Sequence, residues 1–415
     1  MLAAAPRNGI IPCNCSFIHA GARLFDFGLP VLIGEGEPGE HYWFPEHGAV
    51  LPKHPQWQHP AIVASARYVP DGGPPRPGTR HKFESKVSFD GGENFSHLWF
   101  DRVVLGTGTE QLADGSLVFP GVGCERTPDN RSFVCENVRY FGCDDSGTAT
   151  ICSNVSATGV PYSGFPFDVA RFVSYEQESK VVSIPDVSRA TRLLVQLRTF
   201  WRSLESESST LGAFGSNDGG ASWRFLAVVA EGSSARLIVS EAQPEPSEND
   251  ACLLADGRLL AIWRVEACAP YHKSYSADNG TTWTAPVALP FGSARPKLLR
   301  LPDGRVVVSG GRPGLFLWIG DSDAEVWTAV NVASIHNGLV AAWRLPASWQ
   351  YSAEFVNSSS RGAYLMESTC YTSLLAIGNG TMVLFYDRLG NGWKEPPGPW
   401  GDRDRTFSLR FRISD

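Results

Sequence analysis

The sequence lacks any run of apolar residues long enough to cross a bilayer as a helix, so we expect no membrane span. It also lacks a basic excess, because 36 Lys and Arg residues stand against 43 Asp and Glu residues and give a formal net charge of -7 at pH 7. Nucleic acid is therefore not expected as a partner, although a local cluster of arginines would still bind an anion.

The signatures of common cofactors and metals are missing as well. None of the nine cysteines lies in a Cys-x-x-Cys pair, and His47, His54 and His59 are spaced as in no familiar ligand motif, so we expect no metal. The stretch GTGTEQ (106–111) lacks the third glycine of a dinucleotide fingerprint, and no phosphate loop is present. We therefore expect no cofactor.

The first residues, MLAAAPRNGIIPCNC, lack the basic and apolar segments of a secretory signal. Two other features nevertheless favour a secreted or lumenal protein. Cys124, Cys135, Cys143 and Cys152 lie close enough in sequence for local disulfide bonds, and Asn-x-Ser/Thr triplets offer sites for glycosylation. The triplets begin at Asn14, Asn94, Asn130, Asn154, Asn279, Asn357 and Asn379.

An eight-residue pattern, hereafter the box, occurs three times: SFDGGENF (88–95), SNDGGASW (216–223) and SADNGTTW (276–283). Its Asp and Ser side chains can accept hydrogen bonds from the backbone of a turn, its Gly can supply a positive φ, and its aromatic residue can pack beneath a hairpin. We interpret the box as a turn-fastening element and expect no catalytic residue in it.

A second pattern places Asp-Gly or Asn-Gly between apolar runs, which predicts a strand, a tight primed turn and a strand. It occurs as LADGSLV (112–118), LADGRLLAIW (254–263), LPDGRVVV (301–308) and IGNGTMVLFY (377–386). Together with the box it predicts a four-stranded antiparallel meander that carries the box at its last hairpin.

Two degenerate boxes, CDDSGTAT (143–150) and GDSDAEVW (320–327), raise the number of copies to five, spaced by about sixty residues. Five such units, with one more closed by the chain ends, predict an all-β fold: a six-bladed β-propeller of four-stranded antiparallel blades. We expect a single domain over residues 1–415, with 1–40 and 394–415 as terminal segments that close the ring. No long amphipathic helix is predicted.

The box resembles the Asp-box of the sialidase (neuraminidase) superfamily, and the resemblance extends from about Trp57 to Trp393. In a propeller the first strand of each blade lines the central axis, so residues that open these strands share one pocket. The predicted openings are WQHPAIVAS (57–65), SEND (247–250), SARP (293–296) and CYTSLL (370–375). Polar residues close to the strands that follow are Arg67, Arg264, Arg312 and Asp387.

The resemblance implies roles for individual residues. Glu248 matches the Glu that opens a first strand in this family, and Arg264 matches the Arg that closes the next strand. Arg312 follows the second strand of the next blade, and Tyr371 matches the nucleophilic Tyr of the last blade. The general acid, which the family supplies between its first strand and first box, corresponds to Asp71 in ARYVPDGG.

This set of residues suits an acidic sugar. Sialic acid carries a carboxylate on its anomeric carbon, which would repel an anionic nucleophile, and sialidases are the glycosidases that use Tyr instead. A phenol needs a base within hydrogen-bond reach, and Glu248 is the candidate for Tyr371. Two or more guanidinium groups in one place imply a bound anion, because their planar forks match a carboxylate bidentately.

One departure from the family concerns its first blade, which opens with Arg-Ile-Pro. Here Gln58-His59-Pro60 precedes the apolar strand, with Gln58 where the Arg is expected. Either Arg295 or Arg67 completes the arginine clamp, or the substrate is not a usual sialoside. Gln58 and His59 remain candidate substrate-binding residues, and His59 is alternatively a base. His336 is expected on a loop over the pocket, without an assigned role.

We therefore predict a monomeric exo-glycosidase of the sialidase type, which removes a terminal sialic acid or related acidic sugar with retention of configuration. Two alternatives stay open: a non-catalytic carbohydrate-binding propeller, and a propeller hydrolase or lyase that acts on another acidic sugar. Each residue taken alone also fits a structural role. Tyr371 could be a buried aromatic residue, and Arg264 or Arg312 could form ion pairs between blades.

Overall fold

A computed structural model describes most of the chain between residues 25 and 413. The described residues are 25–45, 48–50, 60–68, 83–98, 110–111, 117–141, 154–169, 174–178, 180–185, 193–201, 209–232, 245–265, 269–357, 367–393, 396–397 and 402–413. They are mostly β-structure, as the sequence predicts.

The strands follow one another along nearly the whole described chain. They are β1 (Phe25–Glu35), β2 (Gly48–Val50), β3 (Ile62–Arg67), β4 (Phe83–Ser88), β5 (Ser96–Leu98), β6 (Glu110–Gln111), β7 (Leu117–Arg126), β8 (Phe133–Phe141), β9 (Asn154–Ser163), β10 (Ser174–Glu178), β11 (Val182–Ile184), β12 (Leu193–Trp201), β13 (Ser209–Ser216), β14 (Trp223–Glu231), β15 (Pro246–Leu253), β16 (Leu259–Val265), β17 (His272–Ser276), β18 (Val287–Ala288), β19 (Ala294–Arg300), β20 (Val306–Gly311), β21 (Leu315–Gly320), β22 (Trp327–Asn331), β23 (Ser373–Gly378), β24 (Thr381–Arg388) and β25 (Arg405–Ile413).

Four of the sheets formed by the described strands have four strands each. Their orders are β2-β3-β4-β5, β15-β16-β17-β18, β19-β20-β21-β22 and β1-β25-β24-β23. In the last sheet β1 pairs antiparallel with β25, from Phe25 opposite Ile413 to Glu35 opposite Arg405. The two ends of the described chain therefore share one sheet, and their pairing ties the beginning of the fold to its end.

A nine-stranded sheet contains the remaining strands. Its order is β10-β12-β13-β14-β9-β8-β7-β6, with β11 also paired to β12. Only two parallel residue pairs, Trp223 with Tyr162 and Arg224 with Ser163, join β14 to β9. At this short junction the sheet divides into two groups of strands that are otherwise antiparallel and consecutive in the chain.

The first strands of neighbouring sheets lie against one another. β15 contacts β10, β11 and β12 on one side and β19 on the other, β19 contacts β23, and β23 contacts β2. The ends of these strands are therefore gathered in one region, although they are far apart in sequence. This arrangement brings the candidate site residues together.

Aromatic and aliphatic side chains fill the spaces between successive sheets. Between the sheet of β15 and the sheet of β19, the ring of Phe291 stacks on Trp318 with centroids 4.5 Å apart and meets Trp327 edge-on at 5.2 Å. Full burial of one such side chain contributes roughly 1.5–3 kcal/mol. Packing of this kind therefore stabilises the contact between successive sheets.

The three boxes adopt the same hydrogen-bonded turn between the third and fourth strands of their strand groups. In the third box, Ser276 Oγ donates to Asp278 Oδ1 (2.9 Å) and accepts from the Gly280 N–H (2.8 Å). Asp278 Oδ1 also accepts from the Thr282 N–H at 2.8 Å, and Gly280 has a φ of 91°. The other two boxes repeat these bonds. The predicted turn-fastening role is confirmed at these positions.

Two of the Asp-Gly hairpins differ from the prediction of a primed turn. The Gly257 N–H donates to the Leu254 carbonyl, and in this turn only Gly257 has a positive φ, of 88°. An ordinary turn is therefore followed by a left-handed glycine, and Gly304, whose N–H donates to the Leu301 carbonyl, repeats this geometry with a φ of 93°. The Asn379-Gly380 hairpin is a primed turn, with φ angles of 52° and 69°.

The predicted order of strands in the sheet of β3 was wrong. The stretch that begins at Trp57 was expected to open the first strand, but β3 follows β2 and pairs with it, Gly48 opposite Ala64 and Val50 opposite Ile62. β2 has three residues, too few to show an alternating apolar pattern. The first strand of this sheet is therefore preceded by Trp43-Phe44-Pro45.

Two α-helices interrupt the strands between β22 and β23. They are α1 (Val332–Ala342) and α2 (Ala353–Asn357), with a 3₁₀ turn at Ala347–Trp349 between them. α1 was missed in the sequence, although Asn331 caps it by accepting from the Ser334 N–H. No helix of the described chain is long and apolar enough to cross a membrane.

His336 lies on α1 and not on a loop over the pocket, so its predicted place was wrong. It is fully buried, with Nε2 3.0 Å from the Trp349 carbonyl oxygen and Nδ1 2.8 Å from the Tyr386 hydroxyl. Burial lowers the pKa of His336 to about 4, which keeps the ring neutral. Nε2 then donates to the carbonyl and Nδ1 accepts from the hydroxyl, so this histidine fastens α1 to β24.

The box turns generate a first prediction. Asp278→Ala removes the acceptor for Ser276, Thr282 and the turn backbone, so we expect the free energy of unfolding to fall by about 1–2 kcal/mol. Denaturant unfolding of the variant and of Asp26→Ala, an exposed aspartate on β1, measures the difference. An equal effect at the two positions contradicts the role assigned to the box.

Candidate active site

A bulge in the backbone of β15 positions Glu248, the carboxylate at the centre of the site. On β15, Pro246 lies opposite Val265 and Asn249 opposite Trp263, so β15 has one residue more than β16 and bulges at Ser247–Glu248. The bulge turns Glu248 inward, where its side chain is 2% exposed. Arg264, next to the end of β16, donates from Nη1 to Glu248 Oε2 at 2.8 Å.

The two oxygens of Glu248 have different partners. Oε1 accepts the hydroxyl of Tyr371 at 2.8 Å, although the two residues lie 123 positions apart in sequence. Oε2 accepts both Arg264 Nη1 and the backbone N–H of Arg295, each at 2.8 Å. The carboxylate is thereby fixed on one side and directed at the phenol on the other. The predicted Glu248–Tyr371 pair is present in this geometry.

Charge keeps this carboxylate ionised. Burial by itself raises the pKa of Glu248, but the guanidinium groups nearby outweigh burial and lower it to about 2. These groups belong, in order of decreasing effect, to Arg264, Arg312 and Arg295. At neutral pH Glu248 is thus an anion whose Oε1 accepts from the Tyr371 hydroxyl.

The two neighbours of Tyr371 in the chain, Cys370 and Thr372, are each held by a hydrogen bond. Asp387, at the end of β24, accepts the Cys370 N–H at Oδ1 (2.7 Å) and the Phe44 N–H at Oδ2 (2.9 Å). Burial raises the pKa of Asp387, an effect that these two N–H groups oppose. On the other side, Thr372 Oγ1 lies 2.9 Å from Ser309 Oγ. Asp387 therefore serves the site by positioning the loop that carries Tyr371.

Arg312 lies directly against Tyr371. It follows β20 with a φ of 53°, and its N–H donates to Thr369 Oγ1 at 3.0 Å. Its guanidinium carbon lies 5.2 Å from the ring centroid of Tyr371 and 4.0 Å from that of Trp393. The guanidinium group is thus enclosed by two aromatic rings, which accounts for an exposed fraction of only 5%.

Arg67 and Trp43 form a second pair of a guanidinium group and an aromatic ring near Tyr371. Trp43 and Arg67 exchange both backbone hydrogen bonds, at 3.0 and 2.7 Å, and the Arg67 guanidinium carbon lies 5.3 Å from the Trp43 ring centroid. The Trp43 ring in turn lies 6.0 Å from that of Tyr371. Four arginines, Arg67, Arg264, Arg295 and Arg312, therefore surround the Glu248–Tyr371 pair or its aromatic neighbours.

Three predicted site residues, Asp71, Gln58 and His59, lie outside the described residues, and their roles stay predictions. The triplet Trp43-Phe44-Pro45 comes shortly before β2, the first strand of this sheet. The only sequence signal for this position was a proline shortly before a short strand.

Sequence reasoning also missed Trp393 and the residues that hold it. His41 Nε2 contacts the Trp393 carbonyl oxygen at 3.0 Å, and His41 Nδ1 contacts Asp404 Oδ2 at 2.7 Å. Asp404 also accepts the N–H groups of Tyr42 and Gly390. This buried network joins segments that include residues far apart in sequence, so no local sequence pattern predicted it.

Cysteine and metal predictions are tested only in part. Cys135 is disulfide-bonded, whereas Cys252 and Cys370 are buried thiols. Within the described segments, no group of three His, Cys, Asp or Glu side chains is placed to hold a metal ion.

No family model and no curated protein matches the sequence, but solved structures share the fold. A protein of unknown function from Dyadobacter fermentans superposes with a TM-score of 0.57 at 16% identity, over 94% of this chain and 100% of that one. An α-L-arabinofuranosidase from Fusarium graminearum, solved with an iminosugar inhibitor, gives 0.50 at 12% identity, over 92% and 97%. A Hadza microbial sialidase gives 0.49 at 11%, over 89% and 65%. At these identities the first two likenesses concern the fold alone.

The charge balance around Glu248 generates a second prediction. Its folded pKa of about 2 lies below the ordinary 4.5, so the stability that it contributes is complete above about pH 4.5 and is lost as the pH falls through about 2. Glu248→Gln leaves the guanidinium groups uncompensated, and we expect it to lower the free energy of unfolding at pH 7 by roughly 3 kcal/mol.

Denaturant unfolding at pH 7 and at pH 3 tests this expectation. The gap between wild type and Glu248→Gln is expected to shrink at pH 3. Glu354→Gln, at an exposed position on α2, serves as a control with an effect under about 0.5 kcal/mol. A Glu248→Gln protein as stable as wild type at pH 7 contradicts the assigned balance.

Proposed function

We propose that the protein is a retaining exo-glycosidase that removes a terminal acidic sugar, of the sialic acid type, from a glycan. The observation that carries the proposal is the hydrogen bond between Tyr371 and Glu248 within a set of guanidinium groups. A structural role for the tyrosine would not require its hydroxyl to meet a buried carboxylate, nor several cations around that pair.

We also propose that the sheets form a closed six-bladed propeller. Division of the nine-stranded sheet at its two-pair junction gives six strand groups, and the contacts from β2 through β23, β19 and β15 to β10 follow part of such a ring. The site then lies at the hub, where first strands converge. This geometry supports a pocket for the terminal unit of a chain.

In the proposed first step, the Tyr371 oxygen attacks the anomeric carbon while its proton passes to Glu248 Oε1. The bond from that carbon to the leaving oxygen breaks, and a general acid protonates this oxygen; Asp71 is the candidate. Water then attacks the anomeric carbon of the tyrosyl intermediate and gives a proton to the deprotonated general acid, the proton on Glu248 returns to the phenol, and the second inversion restores the original configuration.

The arginines have two roles in this proposal. Without substrate they keep Glu248 ionised, and a carboxylate of pKa about 2 is a weak base. A substrate carboxylate that binds Arg264 or Arg312 neutralises part of this positive charge and raises the pKa of Glu248 toward that of a useful base. Substrate binding and activation of the nucleophile would then be coupled. Arg295 and Arg67 are the candidates that complete the anion site.

A second candidate function is hydrolysis of a terminal sugar without a carboxylate. Gln58 stands where the resemblance expects the first Arg, and one structural neighbour is an arabinofuranosidase. The cluster of arginines favours the acidic sugar. Binding without turnover, or elimination on another acidic sugar, would be the outcome if Tyr371 does not act as a nucleophile.

We further propose a secreted or lumenal, monomeric protein.

A third prediction tests the reaction. We expect the purified protein to release fluorophore from an α-sialoside, and Tyr371→Phe to lower kcat at least about 10³-fold with its fold intact. Glu248→Gln is expected to lower kcat about 10²–10⁴-fold. Proton NMR of the first product formed should show retention of configuration.

Tyr275→Phe is the matched control, because it removes a hydroxyl that bonds the Asp323 carbonyl on another part of the fold. The panel should include an α-L-arabinofuranoside and uronic-acid glycans, with ultraviolet detection of an unsaturated product. Turnover of the arabinofuranoside alone would favour the second candidate. Binding of sialoside by folded wild type without turnover would reject the hydrolase.

A further inference from the structure

Arg295 occupies an irregular point on β19. Ala294 lies opposite Gly311 and Lys297 opposite Ser309, so β19 bulges by one residue at Arg295–Pro296. Arg295 itself has a φ of 35°, in the left-handed region that a side chain with a Cβ disfavours. A glycine would take this conformation without strain, and the chain uses glycine in most of its turns. The arginine side chain is therefore retained at an unfavourable backbone position.

The bulge directs two different groups of Arg295 at the same pair of residues. Its backbone N–H donates to Glu248 Oε2 at 2.8 Å, and its guanidinium carbon lies 5.2 Å from the ring centroid of Tyr371. Arg312 lies at the same distance, 5.2 Å, from this centroid. In a regular strand the backbone and side chain of one residue would not both point to this pair.

Each group has a definite effect on the pair. With Oε2 bound by Arg264 and by the Arg295 backbone, rotation of the carboxylate would break two hydrogen bonds, so Oε1 stays directed at the phenol. A cation close to the phenol ring favours negative charge on the oxygen during attack. This electrostatic effect needs no contact with a substrate.

We propose that Arg295 is a positioning residue for the Glu248–Tyr371 pair, in addition to any contact with substrate. Its backbone fixes the carboxylate, its guanidinium group stabilises charge that develops on the Tyr371 oxygen, and its left-handed conformation is maintained for these two contacts. The kinetic part of this inference rests on the proposed glycosidase function, whereas the structural part does not.

Arg295→Gly separates these contributions, because it keeps the backbone N–H, removes the guanidinium group and suits a positive φ. Arg344→Gly is the matched control: Arg344 has a φ of 52° at an exposed position after α1. Arg295→Lys keeps the charge. Melting temperature is measured for all three variants, and kcat and KM are measured with the fluorogenic α-sialoside.

We expect Arg295→Gly to melt no lower than wild type, while kcat falls about 10–100-fold and KM changes less than about threefold. Arg344→Gly should melt no lower and keep its activity, and Arg295→Lys should recover most of kcat. A rise in KM at unchanged kcat would show that Arg295 only binds substrate. A lower melting temperature with a matching loss of activity would show a merely structural role. Either result overturns the proposal.

A cycle with Glu248→Gln tests the inference without any substrate. The change in melting temperature caused by Arg295→Gly should be more favourable in the Glu248→Gln background, because the attraction between guanidinium and carboxylate is already lost there. The change caused by Arg344→Gly should be equal in both backgrounds. Equal changes at position 295 overturn the positioning role, whether or not any glycan is hydrolysed. If the protein hydrolyses no glycan but Arg295→Gly and Glu248→Gln are coupled in melting temperature, only the proposed glycosidase function is rejected.

Discussion

The site depends on one buried carboxylate that is shared between a phenol and cations. Glu248 would be unstable as an anion in this interior if the guanidinium groups of Arg264, Arg295 and Arg312 were absent. Those groups would repel one another if the carboxylate were absent. Each side of the balance therefore requires the other, and Tyr371 receives an ionised hydrogen-bond acceptor as a result.

The backbone contributes to this balance as much as the side chains do. Glu248 and Arg295 lie in bulges of β15 and β19, and Arg312 has a left-handed backbone at the end of β20. Regular strands would alternate their side chains between two faces and could not direct all three toward one point. Departures from regular structure thus direct these three residues toward the site.

The box turns and the candidate active site depend on different residues, and their stabilising hydrogen bonds span different distances in sequence. A box such as 276–283 is held by bonds within eight residues and supports its own hairpin. The site is supported by long-range bonds, such as those of Asp387 to Phe44 and Cys370. The repeat can therefore vary, as in GDSDAEVW (320–327), while the pocket depends on single residues.

The sequence by itself determined the parts of the fold that local chemistry controls: the box turns, most hairpins and the strands around them. It also supplied the Glu248–Tyr371 pair and its arginines, through residues that open or follow strands. Only the tertiary structure decided that Trp43 and Trp393 enclose the site, that β3 is a second strand, and that Arg295 serves the pair through both its backbone and its side chain. The physical reason is the distance in sequence between the residues that contact one another. A turn is fixed by hydrogen bonds over a few residues, whereas the pocket is fixed by sheet order, bulges and contacts between segments hundreds of residues apart, which no local pattern encodes.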